Sequence, residues 1–143
     1  MSEAIPKETR DRVISRALGN CEYCQTPQKY CPDPFSVEHV YPRCRGGSDD
    51  ESNLAFSCAG CNGHKFTAIA ATDPHSGQSV ALYNPRRDVW SLHFQWSEIR
   101  LEIVGISATG RATVVRLKLN REYVVNLRRL LLKLDSIKEP SRE

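Results

Sequence analysis

The sequence lacks any long hydrophobic run. Its apolar stretches are short ones such as Leu130-Leu131-Leu132, far below the roughly 20 residues that a membrane span needs. The opening residues, MSEAIPKETRDR, hold no apolar signal core, so the expectation is a soluble, cytoplasmic protein with no membrane partner. A large charge excess is missing too: 20 basic against 17 acidic residues leave +3, too little by itself to indicate a polyanionic partner. With 40% hydrophobic and 26% charged residues, a disordered or fibrous chain is excluded. What remains is a globular chain of 143 residues, long enough to bury about two-thirds of the surface that its unfolded form exposes.

The charge is unevenly spread. Residues 1–71 carry eight Lys/Arg against nine Asp/Glu, and residues 72–143 carry twelve against eight. Any electrostatic grip on a polyanion is therefore expected in the second half. A junction at residues 72–78 (TDPHSGQ) divides the chain into a segment 1–71 and a segment 72–143, expected to share a core as one compact unit.

Six cysteines organise the first segment. In a secreted chain they could pair in 15 ways. Four of them, however, form two C-x2-C pairs, Cys21/Cys24 and Cys58/Cys61, and in a reducing compartment this spacing builds a tetrahedral thiolate cage for structural Zn²⁺. A redox C-x2-C or disulfides are the alternatives. Cys31 and Cys44 lie in the intervening loop and read as spare thiols in a small core. Ahead of the first pair, Val13, Ile14, Ala17 and Leu18 recur at helical spacing, with Pro6 near the start and Gly19-Asn20 as a stop, predicting a helix over 7–18. Arg10, Arg12 and Arg16 on its other face read as a solvated surface.

Between the pairs runs Phe35-Ser-Val-Glu38-His39-Val-Tyr-Pro42-Arg43-Cys-Arg45-Gly46-Gly47, then an acidic turn, then Asn53-Leu54-Ala-Phe-Ser-Cys58-Ala-Gly-Cys61-Asn62-Gly-His64-Lys65. This order of an acidic residue, His, Pro, Gly-Gly, Asn-Leu and C-x2-C followed by Asn and Lys resembles the HNH nuclease motif over residues 21–66. The resemblance implies a ββα-metal finger, cleavage of DNA, double-stranded or branched, and a divalent cation. The residues agree locally: 35–41 is rich in β-branched and aromatic residues, 54–57 suits a short strand, and 62–71 can be helical.

Phosphodiester hydrolysis needs an activated water, charge stabilisation and a held backbone. His39 is the candidate general base, because an imidazole can accept a proton near neutral pH. Glu38 and Asn62 offer hard oxygens suited to Mg²⁺ or Mn²⁺. The familiar motif ends in His where this chain has Asn62, which leaves fewer protein ligands. Asn53 matches the central motif residue, which the resemblance assigns to tying the loop through backbone hydrogen bonds. Lys65 shares the helix face of Asn62 and is expected at phosphate, with Arg43 and Arg45 on the loop, whereas His64 faces away.

In the second segment the period turns to two: Trp90, Leu92, Phe94, Trp96; Ile99, Leu101, Ile103; Val115, Leu117, Leu119. With turns at Asn84-Pro85, Gly105 and Thr109-Gly110, this predicts an antiparallel meander. Asn120 is placed to cap a closing helix with Val124, Leu127, Leu131 and Leu134 in one stripe. Alternation puts both tryptophans on the apolar face. Arg116, Lys118, Arg128 and Arg129 are the expected DNA contacts. The motifs NPR-x-D-x-W, HF-x-W, GRATV and L-x-LNR resemble an extension of small bacterial HNH proteins.

The fold class expected is α+β, a zinc-stapled ββα-metal finger followed by an antiparallel sheet with a C-terminal helix, as monomer or homodimer. The activity expected is metal-dependent DNA hydrolysis. The alternative is a zinc-stabilised nucleic-acid-binding module without turnover.

Overall fold

A computed structural model describes residues 4–138. Ten residues of helix, α1 (Lys7–Arg16), lead into the first cysteine pair. Leu18 and Gly19 then take positive φ, which ends the helix where Gly19-Asn20 predicted a stop. Strands β1 (Ser36–His39) and β2 (Leu54–Ser57) pair antiparallel, with Glu38 opposite Ala55 and His39 opposite Leu54. Helix α2 (Ala59–Lys65) follows directly. This is the ββα unit.

The helix is displaced from the expected 62–71. It starts at Ala59 because the Cys58 side chain accepts the Cys61 N–H as an N-cap, and it ends at Phe66, whose φ is +51°. Residues 70–72 instead form β3 (Ala70–Thr72), a hairpin partner of β4 (Ser79–Ala81). The cut between residues 71 and 72 thus falls inside a strand.

The single meander expected for the second segment is replaced by two hairpins and an additional helix. One helical turn, α3 (Trp90–His93), precedes β5 (Phe94–Trp96), which pairs with β6 (Ile103–Gly105). Residues 108–117, read in part as a turn and a strand, form α4 (Ala108–Leu117). The Ser107 side chain accepts the Gly110 N–H at 2.9 Å, an N-cap worth about 1 kcal/mol. Gly110, Thr113 and Leu117 are buried at helical spacing, so Val115 is exposed at 57% although Leu117 and Leu119 are fully buried. The chain closes with α5 (Glu122–Lys138). Asn120 does not cap it: its side chain accepts the Ile103 N–H at 2.7 Å and donates back to the Ile103 carbonyl at 2.8 Å.

Small antiparallel sheets, a C-terminal helix and a cysteine cluster therefore make a mixed α and β fold. One apolar core runs through both segments, from Val13, Tyr23, Leu54 and Phe56 to Tyr83, Phe94, Ile103 and Leu117. Trp90 and Trp96 pack against it, and the Trp90 indole N–H donates to the Tyr23 carbonyl at 3.1 Å. Among the described residues, no helix is long and apolar enough to cross a membrane.

Candidate active site and metal centre

The two C-x2-C pairs meet. The sulfurs of Cys21, Cys24, Cys58 and Cys61 lie within 4.8 Å of one another, all buried. A tetrahedral zinc–thiolate centre with bonds of about 2.3 Å requires sulfurs about 3.8 Å apart, and Cys24 and Cys58 Sγ are at 3.7 Å. The Cys24 and Cys61 backbone N–H groups donate to Cys21 and Cys58 Sγ at 3.5 and 3.4 Å. The cluster fits structural zinc. Cys31 and Cys44 stand outside it; Cys44 is exposed, not packed in a core as expected.

A residue that the sequence did not single out completes this centre. Arg121, on the turn before α5, donates from Nη2 to Cys58 Sγ at 3.4 Å and from Nη1 to Cys61 Sγ at 3.7 Å. Burial would lower its pKa, but the Cys61 and Cys58 sulfurs outweigh this and raise it. Four thiolates around Zn²⁺ leave an anionic centre, and the guanidinium supplies the opposite charge. A Cβ on Gly60 would lie 2.5 Å from Arg121 Nη2, so the absence of a side chain at that position lets the arginine reach the sulfurs.

The strands present Glu38 and His39 on opposite faces, as period two requires. His39 Nε2 lies 2.7 Å from Asp49 Oδ1, and Arg43 Nε donates to the same oxygen at 2.8 Å. Hydrogen bonds from Arg43 and then from His39 hold the Asp49 pKa down to about 2. With an ionised carboxylate as its partner, Nε2 is assigned the proton, which leaves Nδ1 as the acceptor. Asp49 sits in what reads as an ordinary acidic turn, and nothing local in the sequence separates it from Asp50.

Asn53 ties the loop. Its side chain accepts the Tyr41 N–H at 2.9 Å and donates to the carbonyls of Tyr41 and Ser48 at 2.9 and 2.8 Å. A Cβ on Gly47 would fall 1.7 Å from the Tyr41 oxygen. Only glycine lets the loop fold back this tightly.

Glu38 turns inward and is 7% exposed. Its Oε1 accepts the Tyr23 hydroxyl at 2.5 Å, and Oε2 lies 3.5 Å from Lys65 Nζ. Burial raises its pKa above the usual carboxylate value, and Lys65 with the Tyr23 hydrogen bond offsets only part of this. Asn62 stands on α2, half-buried. Glu38 thus already has Tyr23 and Lys65 as partners, and Asn62 is the more accessible of the two expected cation ligands.

Two of the residues expected at phosphate are buried. Lys65 is 1% exposed; its ammonium donates to the His39 and Val40 carbonyls at 3.3 and 3.0 Å. Arg128 is 7% exposed and donates to the Leu119 and Leu101 carbonyls at 2.8 and 3.0 Å, with its guanidinium over the Trp96 ring. Arg45, Arg116, Lys118 and Arg129 are exposed. Arg45 Nε donates to the Thr67 carbonyl at 2.9 Å and Arg116 Nη2 to that of Lys65 at 3.5 Å, so both flank the end of α2. His64 is held below the usual imidazole pKa by burial and by Arg121 and Lys118.

Comparison with protein families matches residues 21–67 to the family model of HNH endonuclease. Comparison with curated proteins and with solved structures gives no match. The matched span contains the four cysteines, the His39 loop and α2, and a domain of this family implies a nucleic-acid substrate and a divalent metal. Over residues 21–67 the chain is therefore similar to the HNH endonuclease family.

Proposed function

We propose that the protein is a metal-dependent endonuclease that hydrolyses DNA phosphodiester bonds, with His39 as general base. The observation that carries this reading is the 2.7 Å contact between His39 Nε2 and Asp49. It orients the ring, fixes the tautomer and leaves Nδ1 to take a proton from water as the water attacks phosphorus. The imidazolium so formed lies against an ionised carboxylate. Asn53 holds the loop on which Asp49 and Arg43 sit, and Arg45, Arg116 and Lys118 supply charge for the flanking phosphates.

The divalent ion that belongs to this proposal, Mg²⁺ or Mn²⁺, would neutralise charge on the phosphate and the leaving oxygen. Of its assigned donors, Asn62 is accessible and Glu38 is committed to Tyr23 and Lys65. That commitment of Glu38 favours a second reading, a zinc-stabilised nucleic-acid-binding module without turnover.

Incubation with supercoiled plasmid, with and without Mg²⁺ or Mn²⁺, separates the two. Nicked or linear product should form with wild type and fall about 10² to 10⁴-fold with His39→Ala. Equal cleavage by both proteins, or binding without cleavage by wild type, rejects the nuclease.

A further inference from the structure

Phe66 ends α2 in a conformation that side chains rarely adopt, φ +51° and ψ −121°, and yet its ring is 72% exposed. Of the non-glycine residues with positive φ, Leu18, Gln25, Phe66, Arg100 and Lys118, it is the aromatic one. The geometry turns the chain after α2, and Ala68 packs against the core two residues on. The backbone is pinned from several sides. The Phe66 N–H donates to the Asn62 carbonyl at 2.9 Å, and the Ala68 N–H to that of Lys65 at 3.0 Å. The carbonyls on either side of Phe66 are each held by an arginine, that of Lys65 by Arg116 and that of Thr67 by Arg45.

A strained residue held by its surroundings is a candidate for function. Here the surroundings are two exposed arginines, and the ring stands one helical turn from Asn62. Positive charge on both flanks suits phosphates, and a rigid apolar ring between them suits the face of a base.

Resting on the nuclease reading above, we infer that Phe66 is a wedge that stacks on a base of duplex DNA and opens the base step there, while Arg45 and Arg116 take the phosphates on either side. Apolar side chains inserted at a step unstack it and kink the duplex. The kink brings the backbone toward α2 and the His39 loop. Phe66 is thus a positioning residue.

The test uses the zinc-loaded full chain without added Mg²⁺ and a set of short duplexes with 2-aminopurine stepped through each position. Binding is read by anisotropy and unstacking by 2-aminopurine fluorescence. At saturation, wild type should raise the fluorescence at one position or more. Phe66→Ala should bind about five- to hundred-fold more weakly and leave the fluorescence flat, and Phe66→Trp should retain both signals. Phe66→Gly should melt no lower than wild type, since glycine suits this backbone. The proposal is overturned if Phe66→Ala matches wild type in both readouts, if saturated wild type unstacks no position, or if the variants lose binding only in step with a lower melting temperature. Absence of any wild-type binding would overturn the nucleic-acid reading as well, and anisotropy alone reports that outcome.

Discussion

His39 and Asp49 are ten residues apart in sequence and meet at 2.7 Å, Nε2 to Oδ1. The same oxygen accepts Arg43 Nε, so one carboxylate links the proposed base to the Arg43 guanidinium. Because Asp49 is held down at about 2, it stays ionised throughout any practical assay range. Asp49 should therefore add no limb of its own to the pH profile of activity. Asp49→Asn should lower kcat by about 10- to 100-fold with little change in DNA affinity. A plasmid-nicking profile against pH for both proteins checks this, and an unchanged kcat would remove Asp49 from the mechanism.

Glu38 and Lys65 form a buried pair whose pH dependence has a definite sign. The Glu38 pKa is raised above its ordinary value of 4.5 by burial, so the folded state holds that proton more tightly than the unfolded chain does. Ionising Glu38 therefore costs stability, and the cost appears as pH rises through the raised value. Lys65→Met removes the nearest compensating charge. It should destabilise by about 3 kcal/mol at around pH 8 and by clearly less at around pH 5. Glu38→Gln combined with Lys65→Met should recover most of the loss. Urea midpoints at the two pH values measure it; equal losses at both would mean that Glu38 is not the group responsible.

The zinc centre makes a prediction about its own borders. Replacing any of Cys21, Cys24, Cys58 or Cys61 by Ser should release the metal and unfold the finger, since metal binding at such a site is folding free energy. Cys31→Ser and Cys44→Ser should keep the zinc. Gly60→Ala should weaken zinc retention against a chelator, because the added methyl would displace Arg121 from the Cys58 and Cys61 sulfurs. Elemental analysis and the rate of zinc transfer to a chromogenic chelator read all three. Full retention by Gly60→Ala would show that the guanidinium contributes nothing.

The first segment was legible because its signals are local. A C-x2-C spacing is a geometric requirement of a knuckle, and the strand at Leu54–Ser57 lies between a turn and a cysteine pair that bound it on both sides. The second segment misled because short apolar alternation does not distinguish a strand from a helix. Val115, Leu117 and Leu119 alternate in the sequence, but the Ser107 cap and the burial of Gly110 and Thr113 decide for a helix. Asp49, Tyr23 and Arg121 were invisible for a different reason. Each acts through a partner 10 to 63 residues away, and no spacing along the chain records that.

The basic residues divide into two groups that ought to behave differently when neutralised. Arg116 and Lys118 are exposed at the end of α4, and Arg116 reaches the carbonyl at the end of α2. Arg128 sits on α5 with two backbone carbonyls, the Asn120 amide oxygen and the Trp96 ring as its partners. Truncating a buried guanidinium takes its donors away from the Leu101 and Leu119 carbonyls, which costs about 1 to 3 kcal/mol. Arg128→Ala should therefore lower the melting temperature, and once folded it should bind DNA with the wild-type salt dependence. Arg116→Ala with Lys118→Ala should leave melting nearly unchanged and weaken binding uniformly across sequences. Each lost phosphate contact should reduce the slope of log K against log salt by about one. Melting curves and a salt titration by anisotropy on the two variants suffice to separate the groups. A reduced salt slope in Arg128→Ala, or an unchanged one in the double variant, would place the DNA-facing surface on α5 instead of beside α2.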